Sequence, residues 1–322
     1  MPRTTIALLN WNGGDFVRPC VESILRQNEQ DFEVVVVDNH SEDGSVDVIE
    51  TLLSDSMVRH EVVRLDENRG ICGGLQVALK RAGGKYFFPF ASDDEMLWDR
   101  VQRQCDQLDG AGPSTHIAAG AVALIGPDGT PIRNRIGRPM TLRPPRYDRM
   151  DRLAKAWKVP PAPGMAFRTD GLRSIGGYDS SAPVEDIDTF MRLVLLGGSE
   201  VVATCEVVSR YRRHASNSSR DSELTGNGLE HTLRTLFESG VDFGDAGAGW
   251  IEYLDARSRG YKSPWGHLLG ALATSPLERS EIRTADRDVM KSSMSTGRRL
   301  KAGIAYVAPT IAARWVRRQN PK

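Results

Sequence analysis

Little in this sequence announces a specialised class. Its four cysteines, Cys20, Cys72, Cys105 and Cys205, are scattered with no C-x-x-C pair. That speaks against a disulfide framework or a cysteine zinc site and fits a reducing compartment. No apolar run approaches the roughly 20 residues needed to span a bilayer, and a strand-like run begins almost at once, which predicts no signal peptide. A cytoplasmic protein is expected. Net charge is also missing, since 42 Lys and Arg face 42 Asp and Glu, which predicts no nucleic-acid partner. The balance is uneven along the chain. Residues 291–322 hold eight Lys or Arg and no acid, which leaves 34 basic against 42 acidic groups before them. The usual glycine signatures fail as well. "NWNGG" (10–14) ends the first predicted strand where a dinucleotide fold would need G-x-G-x-x-G. There is no phosphate loop of the form G-x-x-x-x-G-K-[ST], and no glycine-rich basic loop of a sugar nucleotidylyltransferase. "GDAGAG" (244–249) follows no strand and reads as a loop.

What is present is a regular alternation. With 322 residues, 40% of them apolar, the chain suits one large α/β domain with an appendage, or two domains. "TTIALLN" (4–10), "FEVVVVD" (32–38), "VRHEVVRL" (58–65) and "KYFFPF" (85–90) read as strands. Between them, 15–27, 45–53 and 73–82 read as helices; Phe16, Val17, Cys20, Val21, Ile24 and Leu25 form one apolar face, and Ser41 or Asp43 lies in the capping region of the second. Pro19 falls in a first turn, where a missing N–H is tolerated. Pro89 cannot donate to a ladder and belongs where pairing ends. Such alternation implies βαβ units and a parallel sheet. Residues 126–150, rich in Pro, Gly and Arg, read as a long loop. "GMAFR" (164–168) returns to strand, 185–198 reads as a helix ending in glycine, 200–214 as a strand, and the chain beyond about 220 as helical.

Four strand ends carry polar groups: Asn10–Trp11, Asp38–Asn39, Asn68–Gly70 and Asp93–Asp94. Any one of them reads equally well as a turn, because Asp and Asn bond nearby backbone N–H groups. Four on one edge outline a ligand site, since open α/β sheets bind ligands beyond the carboxyl ends of their strands. Two adjacent carboxylates there suit a hard divalent cation that also holds phosphate oxygens.

"IALLNWNGG", "VVVVDNHSEDGS", "ENRGICGGLQVALKRAGGKYFFPFASDD" and "VEDIDTFMRLVLLGG" resemble, in order and spacing, the family 2 glycosyltransferases, which have the GT-A fold. The resemblance covers roughly residues 4–215, and its N-W-N-G and V-D-N-x-S-x-D-G-S forms are closest to the rhamnosyl- and galactofuranosyl-transferase-like branch. Beyond that stretch, 219–322 reads from its own pattern as a mostly helical region with a basic tail; the resemblance implies a GT-A domain over 1–218 with an acceptor-side loop at 126–162. It implies that Asp38 binds the base or ribose, with Asn10, Trp11, Asn68, Gly70, Ser92 and Asp94 on the donor. The family's D-x-D motif falls on Ala91-Ser92-Asp93, so Asp93 is the expected ligand of Mg²⁺ or Mn²⁺ and Ala91 replaces the first acid. His214 is placed near the metal or diphosphate, while Arg212 and Arg213 read equally as a solvated basic turn. The E-D motif falls on Glu185-Asp186, and Asp186 matches the base that takes the acceptor hydroxyl proton. As a purely structural pair the same acids would be favourable charges at a helix N-terminus.

The expected function is therefore inverting, metal-dependent transfer from a nucleotide sugar, dTDP- or UDP-linked, to a hydroxyl-bearing acceptor such as a glycan, a lipid-linked glycan or a small natural product. The rival is a non-catalytic GT-A-like protein that binds a nucleotide or glycan, favoured by Ala91. An aspartate-rich prenyl-diphosphate motif in "DDEMLWD" is disfavoured, because such motifs belong on helices of all-α proteins. The cationic ends, Trp315 and lack of acids in residues 298–318 suit an anionic membrane interface, although Pro309 interrupts any helix there and a solvated tail fits equally.

Overall fold

The most apolar stretch of the sequence forms the middle of a sheet. In the computed structural model, which describes residues 1–145 and 159–243 with Trp250 and Leu254, Phe32–Asp38 (β2) is buried at every position. A strand covered on both faces carries such a continuous apolar run. β2 lies parallel between Thr4–Asn10 (β1) and Arg59–Arg64 (β3), and β1 pairs in parallel with Tyr86–Ala91 (β4). Helices Val17–Leu25 (α1), Ser45–Ser54 (α2) and Gly70–Arg81 (α3) connect these strands. Val17, Cys20, Val21 and Ile24 of α1 are buried, as the sequence pattern predicts. α2 starts at Ser45 after Gly44, and Asp43 Oδ1 receives the Ser45 N–H at 3.0 Å.

The remaining strands extend the sheet with mixed polarity. Glu95–Met96 (β5), helix Arg100–Gly110 (α4), Thr115–Ile125 (β6), Thr141–Leu142 (β7), Met165–Arg168 (β8) and Glu200–Arg212 (β9) give the order β3-β2-β1-β4-β8-β6-β9-β5, with β7 on β6. β8 pairs antiparallel only with Tyr86 and Phe87 of β4, so pairing on that side stops before Pro89. Arg100, fully buried, ties this half together by donating to Gln104, Ser209 and the Met165 carbonyl.

The segment expected to be a long loop is organised over 126–142. The chain folds back on β6 through Gly126 N–H to Thr130 O at 2.8 Å, Ile132 N–H to Leu124 O at 2.9 Å and Met140 N–H to Ile132 O at 2.8 Å. Gly129 and Gly137 bend its turns at positive φ, while Pro131 and Pro139 sit in isolated bridges to Ile125 and Arg133, so glycine and proline hid the pairing. Thr169–Ser174 (α5), Glu185–Leu195 (α6) and Ser222–Glu238 (α7) complete the first compact unit, Met1–Ser239. The second unit, Gly240–Lys322, contains the expected loop at 244–249 and the basic stretch 298–318, both outside the described residues. Among the described residues no helix is long and apolar enough to cross a membrane.

Candidate active site

Register brings the predicted strand ends to one edge. Asn10 is level with Asp38, Asp38 with Arg64, and Leu9 with Ala91. Asp38 is buried, and its Oδ1 accepts from Asn10 Nδ2 at 2.8 Å and Ser41 Oγ at 2.6 Å, while Oδ2 accepts from the Ser41 N–H at 3.0 Å. The turn role weighed for Asp38 is therefore realised, and the same bonds fix the carboxylate at the edge. Asn12 and Asp43 fasten the two adjoining loops: Asn12 Oδ1 accepts from the Glu42 N–H and Asp43 Oδ2 from the Gly14 N–H. Trp11 stands on this rim, 59% exposed. A Cβ at Gly13 would lie 2.5 Å from Asn10 Oδ1 and 2.8 Å from Ser92 Oγ, so only glycine lets the first loop sit against both side chains.

Sequence reasoning missed the residue that positions Asn68 and Gly70. Buried Asn39 donates from Nδ2 to Asn68 Oδ1 at 2.8 Å and to the Gly70 carbonyl at 3.1 Å, and accepts the Arg69 N–H at 2.8 Å. The doublet Asp38-Asn39 at a strand end was its only signal.

Asp93 and Asp94 diverge. Asp94 turns inward and accepts the Arg212 N–H at 2.8 Å; burial, then the Asp93 charge, pushes its carboxyl well up. Asp93 stays at the surface, with Oδ2 2.9 Å from His214 Nε2. The His214 ring packs on Phe16 with centroids 4.7 Å apart, and its Nδ1 lies 2.9 Å from Ser216 Oγ. Asn217, also unforeseen, holds the histidine: its Oδ1 accepts the His214 N–H and its Nδ2 lies 3.1 Å from Nε2. Arg212 serves the frame, donating to the Asp93 and Pro127 carbonyls and to Glu95 Oε1. When Nδ1–H of a neutral His214 donates to Ser216, the Nε2 lone pair and the Asp93 carboxylate face each other. A carboxylate oxygen and an imidazole nitrogen so placed suit a divalent cation, with the hydroxyl fixing the tautomer.

The first turn of α6 carries Glu185, Asp186 and Asp188. Asp186 Oδ1 accepts the Ile187 N–H at 2.7 Å. Burial and then the Asp186 charge push the Glu185 carboxyl up to about 8, and burial also raises Asp186. Burial first, and then the neighbouring acids Glu185, Asp188, Asp179 and Asp186, push up the thiol of Cys72, in the first turn of α3 behind Gly70.

A second group offers metal-ligating atoms. Asp179, Asp188 and His231 present theirs within 4.8 Å of one another. These acids are already engaged. Arg192 lies 3.1 Å from Asp188 Oδ2, and Asp179 accepts from Ser181 and lies 2.9 Å from His231 Nε2. Burial raises Asp179, but the Ser181 and His231 hydrogen bonds outweigh it and hold the carboxyl at about 2. A guanidinium inside the cluster competes with any cation, so the arrangement works as a clasp between α6, the preceding loop and α7.

The model for glycosyl transferase family 2 matches residues 5–176, more than half of the chain. A putative teichuronic acid biosynthesis glycosyltransferase of Bacillus subtilis, TuaG, is 29% identical over 141 residues, 44% of this chain and 55% of that protein. The succinoglycan biosynthesis protein ExoO of Rhizobium meliloti is 31% identical over 133 residues, 41% of this chain and 37% of that protein. The chain thus spans about half the length, or less, of these curated relatives. Among solved structures, residues 1–349 of S. aureus TarS in complex with UDP-GlcNAc superpose with a TM-score of 0.58 at 16% identity, covering 84% of this chain and 80% of that one. The mannosyltransferase PcManGT of Pyrobaculum calidifontis, in complex with GDP-Man and Mn²⁺, superposes with a TM-score of 0.56 at 18% identity, covering 98% and 83%. At such identities the likeness concerns the fold, which is the GT-A fold expected from the sequence. On the family match and the ordered motifs along one sheet edge, the chain belongs to glycosyl transferase family 2.

Proposed function

We propose that this chain transfers a sugar from a nucleotide-sugar donor to an acceptor hydroxyl by single displacement, with inversion at the anomeric carbon. The observation that carries this reading is the Asp93–His214 pair, 2.9 Å apart at the strand-end edge. Asp93 and His214 would hold Mg²⁺ or Mn²⁺. Such an ion, when bound, neutralises charge on the leaving diphosphate. Trp11, Asn10, Asp38, Ser92 and the Asn68–Gly70 loop hold the nucleotide, and Asp94 and Arg212 keep Asp93 in place from behind. Asp186 takes the acceptor proton. With the Glu185 carboxyl pushed up to about 8, Glu185 keeps its proton at neutral pH and Asp186 is the ionised member, a division of labour common where two carboxyls adjoin. A uridine or thymidine donor is favoured. The UDP-GlcNAc complex among the structural neighbours supports that preference, and the GDP-Man complex makes guanosine the competitor to test.

Calorimetry with UDP, dTDP and GDP, in Mn²⁺ and then EDTA, tests the reading. One nucleotide should bind in Mn²⁺ and lose at least about tenfold in EDTA or in Asp93→Asn, a change of about 1.4 kcal/mol. Asn at 93 keeps the shape and can donate its amide N–H to the His214 Nε2 lone pair, so unfolding without ligand should barely shift. Unaltered affinity in both conditions would discard the metal assignment. Glycan binding without any donor turnover would favour the non-catalytic alternative.

A further inference from the structure

The proposed chemistry leaves the most basic exposed feature of the described residues unused. Beyond Ile125 the chain forms a small projecting hairpin. Its tip, Asn134-Arg135-Ile136-Gly137, closes with Gly137 N–H to Asn134 O at 3.0 Å and Asn134 N–H to Arg138 O at 2.9 Å. Asn134 Oδ1 accepts from the Ile136 and Arg138 N–H groups, and Gly137 takes φ +75°. Asn at the first position and Gly at the last are what a type I turn favours. The tip therefore has its own hydrogen-bond frame.

Arg133, Arg135, Arg138 and Arg143 are all exposed on this segment. Among the described residues none of them pairs with an acid, although Arg133 Nη1 donates to the Gly137 carbonyl at 2.7 Å. Several other surface arginines are neutralised, Arg26 by Glu22, Arg64 by Asp47 and Glu50, Arg81 by Glu61 and Arg234 by Glu230. Arg18, Arg173 and Arg220 are exposed without an acid too, but they lie apart in sequence, whereas the hairpin gathers four such arginines within 11 residues. Asp128, the one acid between 126 and 145, is bound to its own turn through Thr130. The segment contains no lysine. Guanidinium forks match carboxylate and phosphate oxygens in pairs, which an ammonium does not.

The hairpin also stands next to the site. Arg212 donates from Nη1 to the Gly126 and Pro127 carbonyls at its root and from Nε to the Asp93 carbonyl at 2.8 Å. One buried side chain thus ties the arginine hairpin to the edge that carries Asp93.

Resting on the transferase reading, we propose that the acceptor is an anionic chain, bearing phosphate or carboxylate groups near the reacting hydroxyl, and that Arg133, Arg135, Arg138 and Arg143 dock it. The neutral remainder of such an acceptor would reach Asp186 while the hairpin holds its charges.

The test uses the full chain and two probes, polyphosphate and polygalacturonate, with neutral dextran as reference. The quadruple Arg→Gln variant at 133, 135, 138 and 143 should lose on the order of tenfold or more in affinity for at least one polyanion, as four exposed ion pairs of usual strength allow. Its salt dependence should be shallower. A quadruple Arg→Lys variant, which keeps the charge, should fall between. The control Arg26, Arg64 and Arg81→Gln should bind like wild type, and the basic C-terminal stretch is common to all forms. Equal polyanion affinity in wild type and the hairpin variant, or an equal loss in the control, overturns the proposal. So do dextran binding as strong as polyanion binding, and flotation with anionic vesicles that alone responds to the hairpin. Mn²⁺-dependent nucleotide binding is read separately. Its absence in wild type would remove the transferase reading, and its loss only in the hairpin variant would reassign these arginines to the donor.

Discussion

Removing the Glu185 charge should stabilise the protein in a pH-dependent way. An ordinary glutamate titrates near 4.5, and burial plus the Asp186 charge push Glu185 to about 8. Between those values the folded state holds a proton that the unfolded state releases. Stability is therefore fully present below pH about 4.5, falls as pH rises through the window, and levels off above about 8. The full difference corresponds to a ceiling of roughly 5 kcal/mol at about 1.36 kcal/mol per pH unit. The side chain is only half-buried, so solvent screening lowers the expected effect to about 2 kcal/mol. Glu185→Gln cannot ionise and lacks this fall. Its unfolding curve should match wild type near pH 4.5 and lie about 2 kcal/mol higher at pH 8.5, a Tm gain of roughly 4–8 °C for a unit of this size. In an Asp186→Asn background the gap should shrink, because part of the shift comes from that neighbour. Urea or thermal melts followed by tryptophan fluorescence from pH 4.5 to 9 give the answer. Parallel curves for the two proteins would show that no proton is retained at 185, and the division of labour between the two acids would fall with it.

Two further outcomes bear on the same edge. Asp186→Asn should lower turnover by about 10²–10⁴ with nucleotide affinity nearly unchanged, while Glu185→Gln is milder; steady-state rates and calorimetry separate the two, and normal turnover in Asp186→Asn beside a dead Glu185→Gln would transfer the base to 185. Asn39→Ala strips three hydrogen bonds from the 68–70 turn and should cost about 2 kcal/mol in urea melts while weakening nucleotide binding, so a loss below about 0.5 kcal/mol would deny Asn39 its positioning role.

The half of the fold that was legible is the half where local preference and burial agree. β2 is apolar throughout because it is covered on both faces, and α1 shows its buried face in its periodicity. The second half obeys tertiary demands. β6, "THIAAGAVALI", is rich in small residues with no strand preference of their own. It is a strand because β8 and β9 flank it, and a Cβ at Gly120 would lie 2.5 Å from Val208 Cγ2. α4 carries few apolar residues, since Arg100 and Gln104 fill core positions as a hydrogen-bonded pair. β5 is two residues long and vanishes beside the Asp93-Asp94 turn. The site divides in the same way. Charged groups at strand ends could be read, whereas the amides of the site could not: Asn39 acts on a turn about 30 residues along the chain, and Asn217 holds His214 from an irregular turn three residues on that has no periodicity to mark it.

Ala91 is the feature on which the non-catalytic rival rests, and the structure weakens that support. Residue 91 is the last of β4 and its side chain is exposed. Its backbone is occupied, the carbonyl accepting the Asp94 N–H at 3.3 Å and standing 3.6 Å from Cys20 Sγ. Replacing an acid there by alanine removes one carboxylate without leaving a buried polar gap or loosening the turn. The turn geometry that presents Asp93 depends on the Asp94–Arg212 clasp instead. Meanwhile β9 delivers His214 to Asp93 from the other side, with Ser216 and Asn217 orienting its ring. A cation held by Asp93 and His214 would draw its remaining ligands from diphosphate oxygens and water, as Mg²⁺ commonly does with one or two protein groups. The first acid of the motif is therefore dispensable for the proposed chemistry, while His214 is not. The comparison that follows is Ala91→Asp against His214→Ala. Restoring the acid should tighten metal-dependent nucleotide binding only modestly, within about tenfold, whereas deleting the imidazole should cost more than that. If Ala91→Asp instead created metal dependence where the wild type has none, the wild-type site would be incomplete, and binding without transfer would become the better account of this chain.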